Sequence, residues 1–290
     1  MTLLSLLFAL LIERVTTKTE AWRAEYHVER YVKWLDDNQW FTATSSALYL
    51  LLFCLLPAIL TDIVAEIVGH GFLGLLFNTA ILFLCLGCPH VRSAYKGFLH
   101  AANRGDAMAC ELHARALGHE HGQAVDADTF GQHLVWLNYT HYAAIVLFFA
   151  LFGAAGAVFY VVAISLQKYA QQHFMENADD SGVEPVSTQQ LMHWIDWLPV
   201  RMTALGFLLV GHFGRALTVW GGYLFDTQVC AKRLLCKVSN AAEDSDAGDK
   251  ERGEDVYQWG SEPQLLVRLA KRNMVLIVMV ISVLTLGGWL

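Results

Sequence analysis

Apolar residues in this chain gather into a few long runs set between charged stretches. Such runs suit helices that meet lipid or protein on every side, not half-buried strands or amphipathic soluble helices. The first run, Met1 to Ile12, ends on the first charges of the chain, Glu13 and Arg14. It is shorter than the roughly 20 residues a spanning helix needs. It lacks a positive leader and a clear small-residue cleavage site, so it predicts a retained N-terminal helix, not a signal peptide. Two clear spans follow, over 41–64 and 72–88, and a last one over 274–290 after Lys271 and Arg272. Between them lies the run Tyr142 to Leu166, with Gly153-Ala154-Ala155-Gly156-Ala157 at its middle.

Charge orients these spans. The link Ala65 to Gly71 holds no Lys or Arg. Arg14, Lys18, Arg23, Arg30 and Lys33 precede the pair of spans, and Arg92, Lys96, Arg104 and Arg115 follow it. The positive-inside rule places both flanks in the cytoplasm and the link outside. Trp34, Trp40 and Phe41 fit an interfacial aromatic belt at the start of the first span. Lys168 to Arg272 carries eleven of the twenty Lys and Arg residues and should also face the cytoplasm. The run 142–166 therefore either folds back at its glycines as a re-entrant helix pair, or crosses and is answered by a return over Thr203 to Trp220. The expected fold is all-α: one polytopic helical integral membrane domain over 1–290, with cytoplasmic helical segments.

Composition agrees with a membrane protein. Apolar residues make up 55% and charged residues 16% of the chain, against roughly 25% charged in soluble domains. The net charge of −7 comes mostly from the stretch 240–262, where eight acids face only Lys250 and Arg252. That stretch reads as an acidic mobile loop. No broad basic patch remains, which argues against nucleic-acid binding. Cys54, Cys85, Cys88, Cys110, Cys230 and Cys236 are scattered and read as reduced thiols.

Charged and polar groups beside apolar helix ends are the candidate chemistry, because they are costly there unless paired or used. Glu13 and Arg14 are one such pair; they are also placed to snorkel from a helix edge. Asn103-Arg104-Gly105-Asp106 opens a helix over Ala107 to Leu117, which Asp106 can cap. Asp196-Trp197-Leu198-Pro199-Val200-Arg201 reads as a helix end followed by a new helix begun at Pro199. Asp196 and Arg201 can meet there as a structural ion pair, or Arg201 can hold an anion in its planar fork. Cys85-Leu86-Gly87-Cys88-Pro89-His90, with His113, His119 and His121 beyond, has a legitimate zinc spacing but no second well-spaced pair, so no metal site is expected. No P-loop and no nucleophile elbow occur.

These segments, with Leu11-Ile12-Glu13-Arg14, Trp136-Leu137-Asn138-Tyr139 and Gly153 to Tyr160, resemble the AmpE family over essentially the whole chain. The stretch Asp196 to Arg201 is the most specific part. The resemblance implies a multi-pass protein of the bacterial inner membrane, linked to the AmpD amidase pathway and β-lactamase induction. It implies a modulator or sensor in cell-wall recycling, with muropeptides or another anionic small molecule as ligand and no cofactor. The same segments resemble, more distantly, the CbiB/CobD enzymes of cobalamin biosynthesis, which would imply an amide-forming ligase using ATP and Mg²⁺. Where those enzymes carry an acidic stretch, this chain has Trp136 to Ala144 with no acid. That loses oxygen ligands Mg²⁺ requires, and it favours a non-enzymatic modulator. A scaffold for a cytoplasmic partner is the third alternative. Glu13, Arg14, Asn103, Arg104, Asp106, Asn138, Asp196 and Arg201 are expected to line one polar, cytoplasm-facing cavity that binds the anionic ligand.

Overall fold

A computed structural model describes residues 2–16, 18, 22–38, 47–69, 71–118, 129–176, 186–224, 226–243 and 261–289, without the side chains of 172–176, 186 and 261. Twelve α-helices account for most of them: α1 (Thr2–Val15), α2 (Ala24–Asp37), α3 (Ala47–Val68), α4 (Phe72–Cys85), α5 (Pro89–Arg104), α6 (Ala107–Ala116), α7 (Phe130–Asn138), α8 (Ala144–Glu176), α9 (Val186–Val210), α10 (Phe213–Tyr223), α11 (Ala231–Ala242) and α12 (Ser261–Leu286). No strand occurs among the described residues. Ala47–Val68, Phe130–Gln171 and Glu262–Leu286 are long and apolar enough to cross a membrane, and α4 with α5 would make a fourth. The chain is an all-α polytopic membrane protein. Most of the 240–262 stretch and the start of the 41–64 span lie outside the described residues.

The helices form two compact units. The first comprises Met1–Gly87, Ala144–Pro199 and Val280–Leu290, the second Cys88–Ala143 and Val200–Met279. In the first unit, α3 turns Leu50, Phe53, Cys54 and Ala58 inward, at the i, i+3, i+4, i+8 spacing of one helix face. That face packs on α8 and α4. Leu52, Leu55, Ile59 and Ile63 point outward, as a lipid-facing side requires. Pro57 stands inside α3 and has no N–H for the carbonyl four residues back, that of Phe53. Tyr31 of α2 fills the gap: its hydroxyl donates to the Phe53 carbonyl at 3.1 Å. In lipid such a carbonyl has no water to turn to.

Lys18 does the same for the end of α4. Its ammonium donates to the carbonyls of Phe83 and Leu86 and lies 4.4 Å from the centre of the Phe83 ring. The last carbonyls of a helix carry partial negative charge and favour a cation.

The run 142–166 is not a straight rod. Gly153 sits at φ 63°, ψ −151°, outside any helical region. Around it Phe148 meets Phe159 at 6.0 Å and stacks on Tyr160 at 5.2 Å between ring centres. Twelve residues of straight helix would separate the latter pair by about 18 Å. Gly156 packs so closely on the Phe148 carbonyl that an added Cβ would lie 2.3 Å from it. The chain therefore reverses at Gly153, and α8 is a helical hairpin with arms 144–152 and 154–176.

In the second unit, Phe98 of α5 and Phe130 of α7 lie 4.6 Å apart in a core with Ala101, Cys110, Ala114 and Leu134. Gly105 at φ 70° ends α5. Asp106 caps α6, its Oδ1 accepting from the Ala109 N–H at 3.0 Å. Burial, and secondarily the Asp106 charge, hold the Cys110 thiol above its ordinary pKa, so it stays a packed thiol. The α10–α11 hairpin closes where the His212 N–H donates to the Ala242 carbonyl at 2.8 Å. Asn273 of α12 donates to the Thr203 carbonyl of α9 at 3.0 Å, against Gly206, where a Cβ would lie 2.0 Å from Asn273 Oδ1.

Candidate functional site

Helix α7 ends at Asn138, and the backbone widens into a π-helical turn over Tyr139–Ala143 before α8 begins. π-turns are rare and recur at functional sites, because the extra residue re-aims side chains at some cost in hydrogen-bond geometry. Here the turn buries Tyr139, Thr140 and His141. Thr140 Oγ1 donates to the Leu137 carbonyl at 3.2 Å, satisfying a group the widened turn disturbs. Trp136 stacks on Tyr139 at 5.3 Å. From α5, Arg92 donates through Nη2 to the Tyr142 hydroxyl at 3.1 Å. A cation from α5 thus meets a phenol on a segment apolar enough to span a membrane, in which His141 is also buried. Ionisable groups in such a place mark function by default. Together they can hold an anion or pass a proton.

The sequence-predicted residues divide between the units. Glu13, Arg14 and Asp196 belong to the first; Asn103, Arg104, Asp106, Asn138 and Arg201 belong to the second. At the end of α1, Glu13 is buried and Arg14 exposed. Asn103, Arg104 and Asp106 are exposed at the α5–α6 corner, where Asp106 serves as the helix cap. Asn138 is half-buried beside the π-turn. Among the described residues no hydrogen bond or ion pair joins Asn103, Arg104, Asp106 and Asn138 to one another.

The helix boundary expected at Pro199 is absent. Val186–Val210 is one helix, with Pro199 inside it. Arg201 therefore does not stand in the first turn of a new helix. Asp196, only 2% exposed, accepts a hydrogen bond from the Tyr160 hydroxyl at 3.2 Å. Arg201, also buried, turns toward the end of α10. Its Nε donates to the Leu224 carbonyl at 2.7 Å, and its Nη2 to those of Asp226 at 2.6 Å and Tyr223 at 3.4 Å. The Arg201 carbonyl accepts from the Trp220 indole at 3.3 Å. Burial lowers the Arg201 pKa and the nearby Asp226 pulls it back up. The forked donors expected to hold an anion thus bind the carbonyl end of a helix.

The π-turn cluster escaped sequence reading. Arg92 counted only as a topological charge, and Tyr142 as the start of an apolar run. The available signal was three consecutive polar or aromatic side chains, Thr140, His141 and Tyr142, at the head of that run. For the zinc spacing at Cys85 and Cys88, no three His, Cys, Asp or Glu side chains are grouped to hold a metal among the described residues. His119 and His121 lie outside those residues.

The whole chain, residues 1–290, matches the family described as regulatory signalling modulator protein AmpE. A curated relative from Shigella flexneri, Protein AmpE, is 26% identical over 308 residues, covering 99% of this chain and 99% of its own length. No solved structure matches. With membrane-spanning helices and a family match from end to end, this chain belongs to the AmpE family of regulatory signalling modulators.

Proposed function

We propose that the protein modulates β-lactamase induction from the bacterial inner membrane, by sensing an anionic product of cell-wall recycling at its cytoplasmic face. The observation that carries this reading is the match of all 290 residues to a family of signalling modulators. The positive-inside pattern of the charges supports the orientation. The pairing of Arg92 with Tyr142 beside buried His141 supports an anionic ligand, since a guanidinium held in place by a phenol suits a carboxylate or phosphate. Muropeptides, which carry carboxylates, are the first ligands to try. The AmpD amidase pathway is the proposed source of the signal.

The test uses a strain with an inducible β-lactamase from which the gene for this protein has been deleted. Wild type should restore induction by a β-lactam. Arg92→Gln should lower inducibility several-fold at an unchanged amount of membrane-inserted protein. Normal induction with Arg92→Gln would remove the π-turn from the proposal. Normal induction without the protein would remove the modulator role.

A further inference from the structure

The outward side chains of α9 are the reverse of what water selects. Between His193 and Val210 the exposed residues are Trp194, Leu198, Met202, Leu205 and Leu209. They recur every three or four residues, so they form one stripe along the helix. None carries a charge. Over the same length Asp196, Arg201 and Thr203 are buried. A helix at a watery surface shows the opposite arrangement, with apolar residues inward and charge outward. Asp196, Pro199 and Arg201 also lower the average hydropathy of α9, which is not among the helices apolar enough by composition to cross a membrane. Averaging hides the pattern, because it counts the inward polar groups as though they met lipid.

Hydrogen bonds fix the depth of the stripe. Between Trp194 and Leu198, Asp196 accepts from the Tyr160 hydroxyl at 3.2 Å, and Tyr160 is fully buried within the span Phe130–Gln171. Between Met202 and Leu205, the Thr203 carbonyl accepts from Asn273 at 3.0 Å, and Asn273 belongs to the span Glu262–Leu286. Two spans thus hold the polar side of α9, at levels about 10 Å apart along it.

We propose that α9 is a further membrane-embedded helix, and that the acyl chains of the surrounding lipid occupy the stripe from Trp194 to Leu209. The stripe rises about 22 Å, within the roughly 30 Å of a bilayer's hydrocarbon core. Its one N–H or O–H group, the Trp194 indole, stands at the end, where aromatic residues meet the head groups. Asp196 and Arg201 then spend their hydrogen bonds inside the protein, away from lipid, as charged groups at that depth require. The assignment is independent of the signalling role proposed above.

Spin labelling of the full-length protein in liposomes is the direct measurement. Single cysteines replace Leu198, Met202 and Leu205 in an otherwise cysteine-free chain, and each carries a nitroxide. Molecular oxygen concentrates in hydrocarbon and a nickel chelate in water, so the ratio of their collision rates with the label reports its surroundings. Ile59→Cys, on the outward face of α3, and Met108→Cys, exposed on α6, are the lipid and water references. The α9 labels should give the oxygen-to-nickel ratio of Ile59→Cys, several-fold above that of Met108→Cys. Low collision rates with both reagents would mean that protein, such as a second copy of this chain, covers the stripe. Frequent collision with the nickel chelate would mean that water does. Either result overturns the assignment. Trp194 gives a second readout without a label: the fluorescence difference between wild type and Trp194→Phe should be largely quenched in liposomes of acyl-brominated lipid. A difference left unquenched also overturns it.

Discussion

Lys18 and Arg201 meet the same demand at two helix ends. The last turn of a helix leaves carbonyls without N–H partners, and water is scarce near a membrane. Lys18 answers at α4 with one ammonium, and Arg201 at α10 with a fork that reaches three residues. The two side chains are not interchangeable, because an ammonium cannot span three carbonyls in a planar spread. Arg201→Lys should therefore cost about 1.5–3 kcal/mol, the range for charged hydrogen bonds. Hydrogen exchange should show the loss as faster exchange confined to α10 and residues 224–230. Any fall in β-lactamase inducibility should then track the amount of folded protein. Full stability with lost inducibility would restore Arg201 as an anion-binding residue.

Helices as units were largely legible in the sequence, and their breaks only partly so. The run 142–166 announced a break through its glycines, because Gly153 can take a conformation closed to other residues. At φ 63°, ψ −151° it lies in a region that only glycine occupies cheaply. Gly153→Ala should cost about 1–3 kcal/mol on that ground. Gly214→Ala, inside α10 with open space around its Cβ and no left-handed φ, should be neutral or stabilising by up to about 1 kcal/mol. Thermal unfolding in one detergent compares the two; equal effects would mean that Gly153 carries no special conformation. Pro199 misled in the other direction. A proline read as the first turn of a helix proved to be interior, because local propensity is a weak prior that tertiary context overrides. The π-turn over Tyr139–Ala143 leaves no periodic trace at all: one extra residue in a helix shifts its faces without changing its composition. For that reason the site residues chosen by polarity beside apolar ends included Asn138 but passed over Arg92, His141 and Tyr142.

At the scale of the whole chain, we propose a topology on two kinds of observation that share no assumption. Charge counting puts the segment before the first span and the segment after the second on the cytoplasmic side. Side-chain geometry then ties the far end of the hairpin to the first of these. Lys168 lies 3.5 Å from Glu25, and the Tyr169 hydroxyl donates to Asp36 at 2.8 Å, so the second arm of α8 ends against α2. Those contacts are worth little as energy, since Lys168 and Glu25 are partly exposed and screened. As position markers they still count, because an ion pair cannot reach across about 30 Å of hydrocarbon. These contacts place the end of the second arm on the side of α2, and we predict that the hairpin also starts there, with the exposed Leu151 and Phe152 at its reversal. Single cysteines in a cysteine-free background, treated in intact cells with a membrane-impermeant thiol reagent, test this arrangement. A cysteine at Gly71 should be labelled from outside. Cysteines at Met108, which is exposed on α6, and at Lys168 should be labelled only after the cells are opened. Labelling of Lys168→Cys from outside, with Met108→Cys protected, would mean that the 142–166 run crosses and would set the hairpin geometry aside.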